Sequence, residues 1–450
     1  MSKEVGIKEY KIMYWFIVLF PLLIYPWGID PYYTTTKANY LYLFVLGYWL
    51  FIFFRKKQRT LIPEKGEKTP FALLIIFLCL IEISTAFSNY TYTSVHGTID
   101  RKEGLITFFS YCSMFLFSYR LLDIRKVTKL ISGAAIVSAI VSIYAILQHY
   151  SLDFLPRNSA MRNYSGTYTF FDNPNFFGSY LVLSFLISLT VYLTVNKKNV
   201  NIFYFLTLCL TFIALLFSNT RSAYLGIFCG TVFLTVFVVY KRKHLWKRWS
   251  LLAVSLLLIA VIINFSEKGH YFNRASTILS ESYQVVTNQS TGYEGSSRLF
   301  IWKKSLPLVK DFFWIGSGPD TFEFIFPATP EERQIYLGDA NIIVDKAHNE
   351  YLQIAVTLGT PALLVYLLFV FSILSKAFQA VKRAADKEKV ILLGLISVVI
   401  GYLIQAFFNI STVPVAPIFW ALLGITLAKS ESLLRKNTLP FTHIEKSISA

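Results

Sequence analysis

Charge is what this sequence has least of. Only 15% of its 450 residues are Asp, Glu, Lys or Arg, where an ordinary soluble domain carries about a quarter. With 55% hydrophobic and 17% aromatic residues, the composition excludes a soluble enzyme and puts the chain in lipid. Acid is scarcer than base, 26 Asp and Glu against 43 Lys and Arg, a formal charge of +17. Cysteine is confined to Cys79, Cys112, Cys209 and Cys229. All four lie in apolar runs without metal-ligand or redox spacing, and they read as packing residues. Asp-x-Asp is absent, as are internal repeats, low-complexity tracts and a soluble domain at either end.

What the chain has instead is apolar length. About 20 apolar residues cross a bilayer as a helix, and twelve runs approach that length, over 12–29, 38–54, 71–87, 105–119, 130–148, 176–195, 202–218, 222–240, 249–265, 351–375, 390–408 and 415–428. The expectation is an all-α integral membrane domain spanning residues 1–450, with about twelve transmembrane helices and both termini on one side. The first run follows Lys3, Lys8 and Lys11, as in a signal peptide. Tyr25-Pro26-Trp27-Gly28 offers no small-x-small cleavage site, so a retained helix is expected.

Basic residues near helix ends stay cytoplasmic. With a cytoplasmic N-terminus the inner segments hold 29 basic and 9 acidic residues and the outer ones 14 and 16. The excess charge thus gathers in inner clusters such as Arg55-Lys56-Lys57 and Lys241-Arg242-Lys243, suited to anionic membrane lipids, and nucleic acid is not needed to explain it. The reading is a multi-pass protein of the cytoplasmic membrane with N- and C-termini cytoplasmic.

Most connections are short, but residues 266–350 form one outer loop of about 85 residues, far beyond the usual length and expected to be functional. Within it, Arg298 to Lys310 sets Phe300, Ile301, Trp302, Leu306 and Val309 on one side of an amphipathic helix, interrupted by Pro307 and expected at the membrane interface. Gly316 to Asp320 reads as a turn. Thr329-Pro330-Glu331-Glu332 reads as a helix start.

Three outer constellations carry candidate chemistry. Arg221, in Ser218-Asn219-Thr220-Arg221, opens the eighth run at the membrane edge, where a guanidinium requires an anionic partner. The competing reading is snorkelling to lipid phosphate. His348, in Ala347-His348-Asn349-Glu350, stands at a helix N-terminus, which disfavours imidazolium and keeps a general base neutral. The plain alternative is a capping or solvent-facing histidine. Arg298, after Gly295-Ser296-Ser297, offers a second guanidinium fork to phosphate oxygens.

Taken together these residues resemble the O-antigen ligase and polymerase family of bacterial membrane glycosyltransferases. Arg221 to Leu225 is similar to its Arg-x-x-x-Leu motif. His348-Asn349, nine residues and Gly359-Thr360-Pro361-Ala362 resemble its His-Asn-x9-Gly-x-x-Gly, with alanine for the second glycine. Gly166-Thr167 through Phe171-Asp172-Asn173-Pro174-Asn175, and Arg298 to Trp302 leading into Gly316-Ser317-Gly318, extend the likeness over about residues 160–365.

The resemblance implies a GT-C-like fold and transfer of a glycan from undecaprenyl diphosphate to an acceptor hydroxyl at the outer membrane face. It implies a ligase serving a cell-surface acceptor, or a polymerase joining lipid-linked repeats. Lysine- and tyrosine-rich loops lean towards a Gram-positive type of source and a teichuronic-acid-type polymerase. In this reading Arg221 and Arg298 hold the diphosphate and His348 takes the acceptor proton. Asn173, Asn175 and Asn349 are candidate substrate contacts, Asn-Pro-Asn being equally a plain turn and helix entry. No cofactor and no metal are expected, and inversion follows from direct displacement. Glu82, alone in the third run, is either a partner for an arginine or a carboxyl neutralised by burial. A secondary transporter is the rival class. It would show repeat symmetry and a midplane site, whereas these polar groups gather at the outer end.

Overall fold

The computed structural model describes residues 7–27, 32–54, 68–121, 124–158, 164–240, 242–287 and 291–436. Lys3, Gly28, Arg55-Lys56-Lys57 and Lys241, named above, lie outside them. In chain order the α-helices are α1 (Ile7–Leu19), α2 (Tyr33–Phe54), α3 (Lys68–Ala86), α4 (Thr91–His96), α5 (Leu105–Leu121), α6 (Val127–His149), α7 (Pro174–Thr194), α8 (Lys198–Phe217) and α9 (Arg221–Leu234). They continue with α10 (Trp246–Ser266), α11 (His270–Val286), α12 (Arg298–Asp311), α13 (Phe322–Ile325), α14 (Pro330–Leu337), α15 (Glu350–Thr357), α16 (Thr360–Arg383), α17 (Asp386–Ala406) and α18 (Ala416–Lys436).

Among the described residues ten helices are long and apolar enough to cross a membrane: α2, α3, α6 to α10 and α16 to α18. The expected runs at 12–29 and 105–119 fall on shorter helices, α1 with 13 residues and α5 with 17. The run at 351–375 is not one helix. It breaks at Leu358-Gly359, where Pro361 enters the first turn of α16 and Gly359 takes φ +92°. Helices also fill most of the expected 266–350 loop.

α7 is apolar all round, and every residue from Phe176 to Leu193 is buried, as expected of a central helix. It packs among α6, α8, α9 and α17. α10 is equally apolar yet buries only Leu252, Ile263 and Asn264; its exposed Leu251, Leu257 and Ile262 suit acyl chains. Cys79 is exposed, so it is not the packing residue expected, while Cys112 is buried. Glu82 is likewise exposed on α3 rather than buried, and it makes no ion pair with an arginine among the described residues.

Lipid is as apolar as leucine, so helices associate in it through close backbone approach. α9 and α17 meet in this way. A Cβ on Gly226 would stand 2.6 Å from the Gly401 carbonyl oxygen, and one on Gly401 would stand 2.9 Å from that of Gly226. Gly401→Val should therefore lower stability by about 1–3 kcal/mol through overpacking. Gly47→Val, with nothing within 4 Å, should not. Thermal unfolding of the two variants in detergent checks this; equal melting temperatures would contradict it.

Candidate active site

Four helix N-termini meet at one end of the bundle. α7 starts behind Asn173, whose side chain accepts the Asn175 N–H. α9 starts with Arg221, and Thr220 Oγ1 ties it to α7 by donating to the Pro174 carbonyl at 2.9 Å. α12 and α15 lie side by side and run parallel. Near their starts Trp302 Nε1 donates to the Ala347 carbonyl at 2.9 Å. Beyond their ends the Ser317 and Gly318 N–H groups reach the Val356 and Thr357 carbonyls at 3.1 and 2.9 Å. α15 is fixed to the end of α17 through Tyr351 Oη, which donates to the Leu403 carbonyl at 2.7 Å. Asn409, just past α17, reaches the Asn175 carbonyl at 3.1 Å. Helix N-termini present partial positive charge and unused N–H groups, so such a gathering favours anions.

Among the described residues the guanidiniums of Arg221, Arg274 and Arg298 form a cluster at this end. Arg221 donates from Nη1 to Glu281 Oε1 at 2.8 Å and Thr277 Oγ1 at 3.2 Å, and from Nη2 to Ser296 Oγ at 2.9 Å. Arg274, on α11, donates to the Asn219 carbonyl at 3.1 Å and keeps a buried Nε without a hydrogen-bond partner. Arg298, the first residue of α12, makes only a long 3.5 Å contact to the Gly295 carbonyl and no ion pair among the described residues. Burial, then repulsion from Arg221 and Arg274, lowers Arg298 to about 10, against the attraction of Glu281. A cation so placed favours an anionic partner.

His348 precedes the α15 cap, in the left-handed region at φ +50°, a conformation costly for a residue with a Cβ. Its Nδ1 is buried without a partner. Burial first, then the field of Arg298, lowers its pKa to about 4, with Asp345 opposing and Arg101 and Lys346 adding to the effect. The imidazole is therefore neutral at ordinary pH.

The loop carrying His348 is pinned from the α4–α5 connection. Arg101 Nε pairs with Asp345 Oδ2 at 2.5 Å. Lys346, fully buried, pairs with Asp320 and with Glu103 Oε2, the latter at 3.1 Å. Asp320 Oδ2 also accepts the Thr98 and Glu103 N–H groups at 2.7 and 3.1 Å. Burial raises Glu103 to about 8, with Lys346 opposing. Near neutral pH Lys346 is thus an ammonium and Glu103 keeps its proton. The trio borders a cavity of about 30 Å³ lined also by Tyr111, Glu350, Gln353 and Trp420.

Of the residues expected from sequence, Arg221, Arg298 and His348 come to the same end, linked through Arg298, which acts electrostatically on His348 and is acted on by Arg221. Asn173 and Asn349 have their Oδ1 atoms engaged as helix caps. Asn175 is half-buried, its carbonyl held by Asn409. Asp172 caps α2 instead, accepting the Tyr33 N–H at 2.9 Å and the Thr34 N–H at 2.5 Å. α12 buries Phe300, Ile301, Ser305 and Leu308. Leu306 points outward, and the helix packs on Val356 of α15 and on Ala347 ahead of it rather than through all five expected positions. Arg274 and Glu281 were missed. They lie in a polar stretch without motif spacing, and only the fold brings them to Arg221.

The fold is that of a helical, multi-pass membrane protein with a cationic cluster at one end. Residues 203–367, little more than a third of the chain, match the family model described as O-antigen ligase, and this stretch is similar to that family. The matched stretch holds Arg221, Arg274, Glu281, Arg298 and His348; Asn173 and Asn175 precede it. A comparison with curated proteins finds no match.

The buried trio makes two expectations. Lys346→Met strands Asp320 in the interior and should cost about 3–5 kcal/mol, read as a lowered melting temperature. Glu103 is raised from 4.5 to about 8, so its acid form stabilises the fold fully below 4.5 and the contribution fades as pH climbs through 8. Melting temperatures from pH 5 to 9 should fall more in the wild type than in Glu103→Gln; parallel profiles would contradict the assignment.

Proposed function

We propose that the protein transfers a glycan from undecaprenyl diphosphate to an acceptor hydroxyl at the outer face of the bacterial cytoplasmic membrane. The observation that carries this reading is a neutral, half-buried imidazole with a buried, unpartnered Nδ1, in the field of a guanidinium that has no carboxylate partner among the described residues. The acceptor hydroxyl gives its proton to His348 while its oxygen attacks the anomeric carbon. The bond to the diphosphate oxygen breaks on the opposite side, inverting the centre. Arg221 and Arg298 take up the charge that grows on the leaving diphosphate. These fixed guanidiniums do the work that a divalent ion does elsewhere, and the transfer proceeds without metal.

The same arrangement couples donor and base. A diphosphate seated on Arg298 quenches the repulsion that Arg298 exerts on His348, and the imidazole gains proton affinity as the acceptor is activated. The Asn173, Asn175 and Asn349 amides border this region, with Asn175 carrying the side chain best able to meet sugar hydroxyls. The acceptor is either a cell-surface anchor or the end of a second lipid-linked chain.

Arg221→Ala, Arg298→Ala and His348→Ala should each reduce transfer by at least about a hundredfold, the scale of a lost oxyanion donor or general base, in protein that still inserts and melts as the wild type does. Labelled undecaprenyl diphosphate oligosaccharide supplied to purified protein, without a gradient, reads the transfer. Chain growth on the same lipid marks a polymerase, and movement to another acceptor marks a ligase. Full activity in the His348 variant would remove it from the reaction. The acidic limb of kcat/KM should lie near pH 4, where His348 of the free protein takes up its proton, and activity should fall as pH drops through it. A limb at an ordinary histidine value would contradict this.

A further inference from the structure

α11 supplies an acid to a cluster otherwise made of guanidiniums. Glu281 spends both oxygens there. Oε1 accepts from Arg221 Nη1 at 2.8 Å, and Oε2 accepts the Gly295 N–H at 2.7 Å. Gly295 begins three successive residues with positive φ, Gly295, Ser296 and Ser297 at 65°, 60° and 64°. Ser296 Oγ accepts the other nitrogen of the same guanidinium at 2.9 Å. The carboxylate therefore sits in a fork made of one guanidinium and one backbone N–H, the donor set that also receives phosphate oxygens. Arg298 acts on this seat electrostatically, and Arg274 contributes a buried Nε–H without a partner. Three guanidiniums against one carboxylate leave the seat cationic with Glu281 in place.

We propose that Glu281 is a built-in counter-anion occupying the seat of a phosphate group, and that a diphosphate-bearing ligand enters the cluster by displacing it from Arg221 and Gly295. This rests on the reading of the cluster as a diphosphate site, and adds a step to it. While Glu281 holds Nη1, Arg221 cannot offer its Nη pair as a bidentate fork. Release of the acid frees an Nη1 hydrogen, to act with the second hydrogen of the Ser296-bound Nη2, and frees the Gly295 N–H, parting Glu281 from the start of α12. In the empty protein Glu281 keeps Arg221 paired at the membrane edge, where it would otherwise be captured by a phospholipid headgroup. Arg274, carried on the same helix as Glu281, joins the grip on the arriving phosphate.

The test is calorimetric titration of full-length protein in detergent with inorganic pyrophosphate, and with glycerol 3-phosphate as a stand-in for a phospholipid headgroup. Glu281→Gln should bind pyrophosphate about tenfold more tightly than the wild type, and the gain should exceed that for glycerol 3-phosphate. Arg274→Gln should weaken pyrophosphate binding severalfold in either background. Glu281→Ala should change affinity in the same direction as Glu281→Gln, and melting curves show whether each variant is folded. Equal or weaker pyrophosphate binding by both folded Glu281 variants, with Arg221→Ala still weaker, would overturn the displacement and make Glu281 a fixed support of Arg221. An equal gain for both phosphates would overturn the assignment to a diphosphate. Wild-type affinity in Arg221→Ala and Arg298→Ala alike would sink the diphosphate site itself, a failure distinct from that of Glu281.

Discussion

The site depends on how the chain ends one helix and starts another inside the bundle. At Thr357 the helix that began behind His348 stops, leaving carbonyl groups with no partner in the next turn. Such groups cost several kcal/mol in an apolar surround unless they are hydrogen-bonded. The Gly316-Ser317-Gly318 turn meets them, giving the Ser317 N–H to Val356 and the Gly318 N–H to Thr357, while Ser84 Oγ reaches the Thr357 carbonyl at 2.9 Å. Gly316 is required for this approach, because a Cβ there would stand 2.3 Å from the Thr357 oxygen. One seam thus satisfies the helix break and fixes the register of α12 against α15. Arg298 and His348 head those helices, so their relative position is set by backbone hydrogen bonds made at the far end of α15 and beyond the far end of α12.

Charge imposes the second constraint. Guanidiniums at the edge of a membrane need anions, and a nearby histidine in their field loses its proton. The two requirements agree here. Burial first, then neighbouring guanidiniums, lowers the proton affinity of both Arg298 and His348, so the surroundings that make Arg298 receptive to an anion also keep His348 neutral. The two clusters of this end are balanced differently. Around Lys346 the ammonium is paired within the protein, with Asp320 against it and Glu103 holding its proton, and this part can be buried as support. Around Arg298 the charges do not cancel, as one carboxylate faces three guanidiniums. Electrostatic imbalance that persists beside a balanced cluster points to binding rather than to stability.

Much of this was legible in the sequence. Apolar length gave the membrane class. Thr329-Pro330-Glu331-Glu332 formed the expected helix start, with Thr329 Oγ1 and Glu332 exchanging capping hydrogen bonds. Arg221 and His348 could be placed because each adjoins a helix start that hydropathy marks. The rest was hidden for identifiable reasons. Hydropathy sums across Leu358-Gly359 without seeing that the helix axis ends there, so 351–375 read as one span. Leu306 was assigned to the buried side of α12 by composition, whereas the buried set Ile301, Ser305 and Leu308 follows the helical period and includes a serine. Asp172 lies beside Asn173 in a motif-like string, yet one side chain caps α2 and the other α7. That division depends on where α2 returns in space.

Arg274 and Glu281 make the limit clearest. They are seven residues apart, two helical turns, so on a helix they share a face. In the sequence that spacing selects nothing in particular, since any polar helix contains such pairs. Meaning comes only from Arg221 and Gly295, which lie on either side of α11 in the chain and meet that face in the fold. An acid on the connecting helix between two arginines is also the position from which one movement of α11 alters both partners at once. In the proposed displacement a diphosphate takes the Arg221 guanidinium and the Gly295 N–H together, and Glu281 holds both.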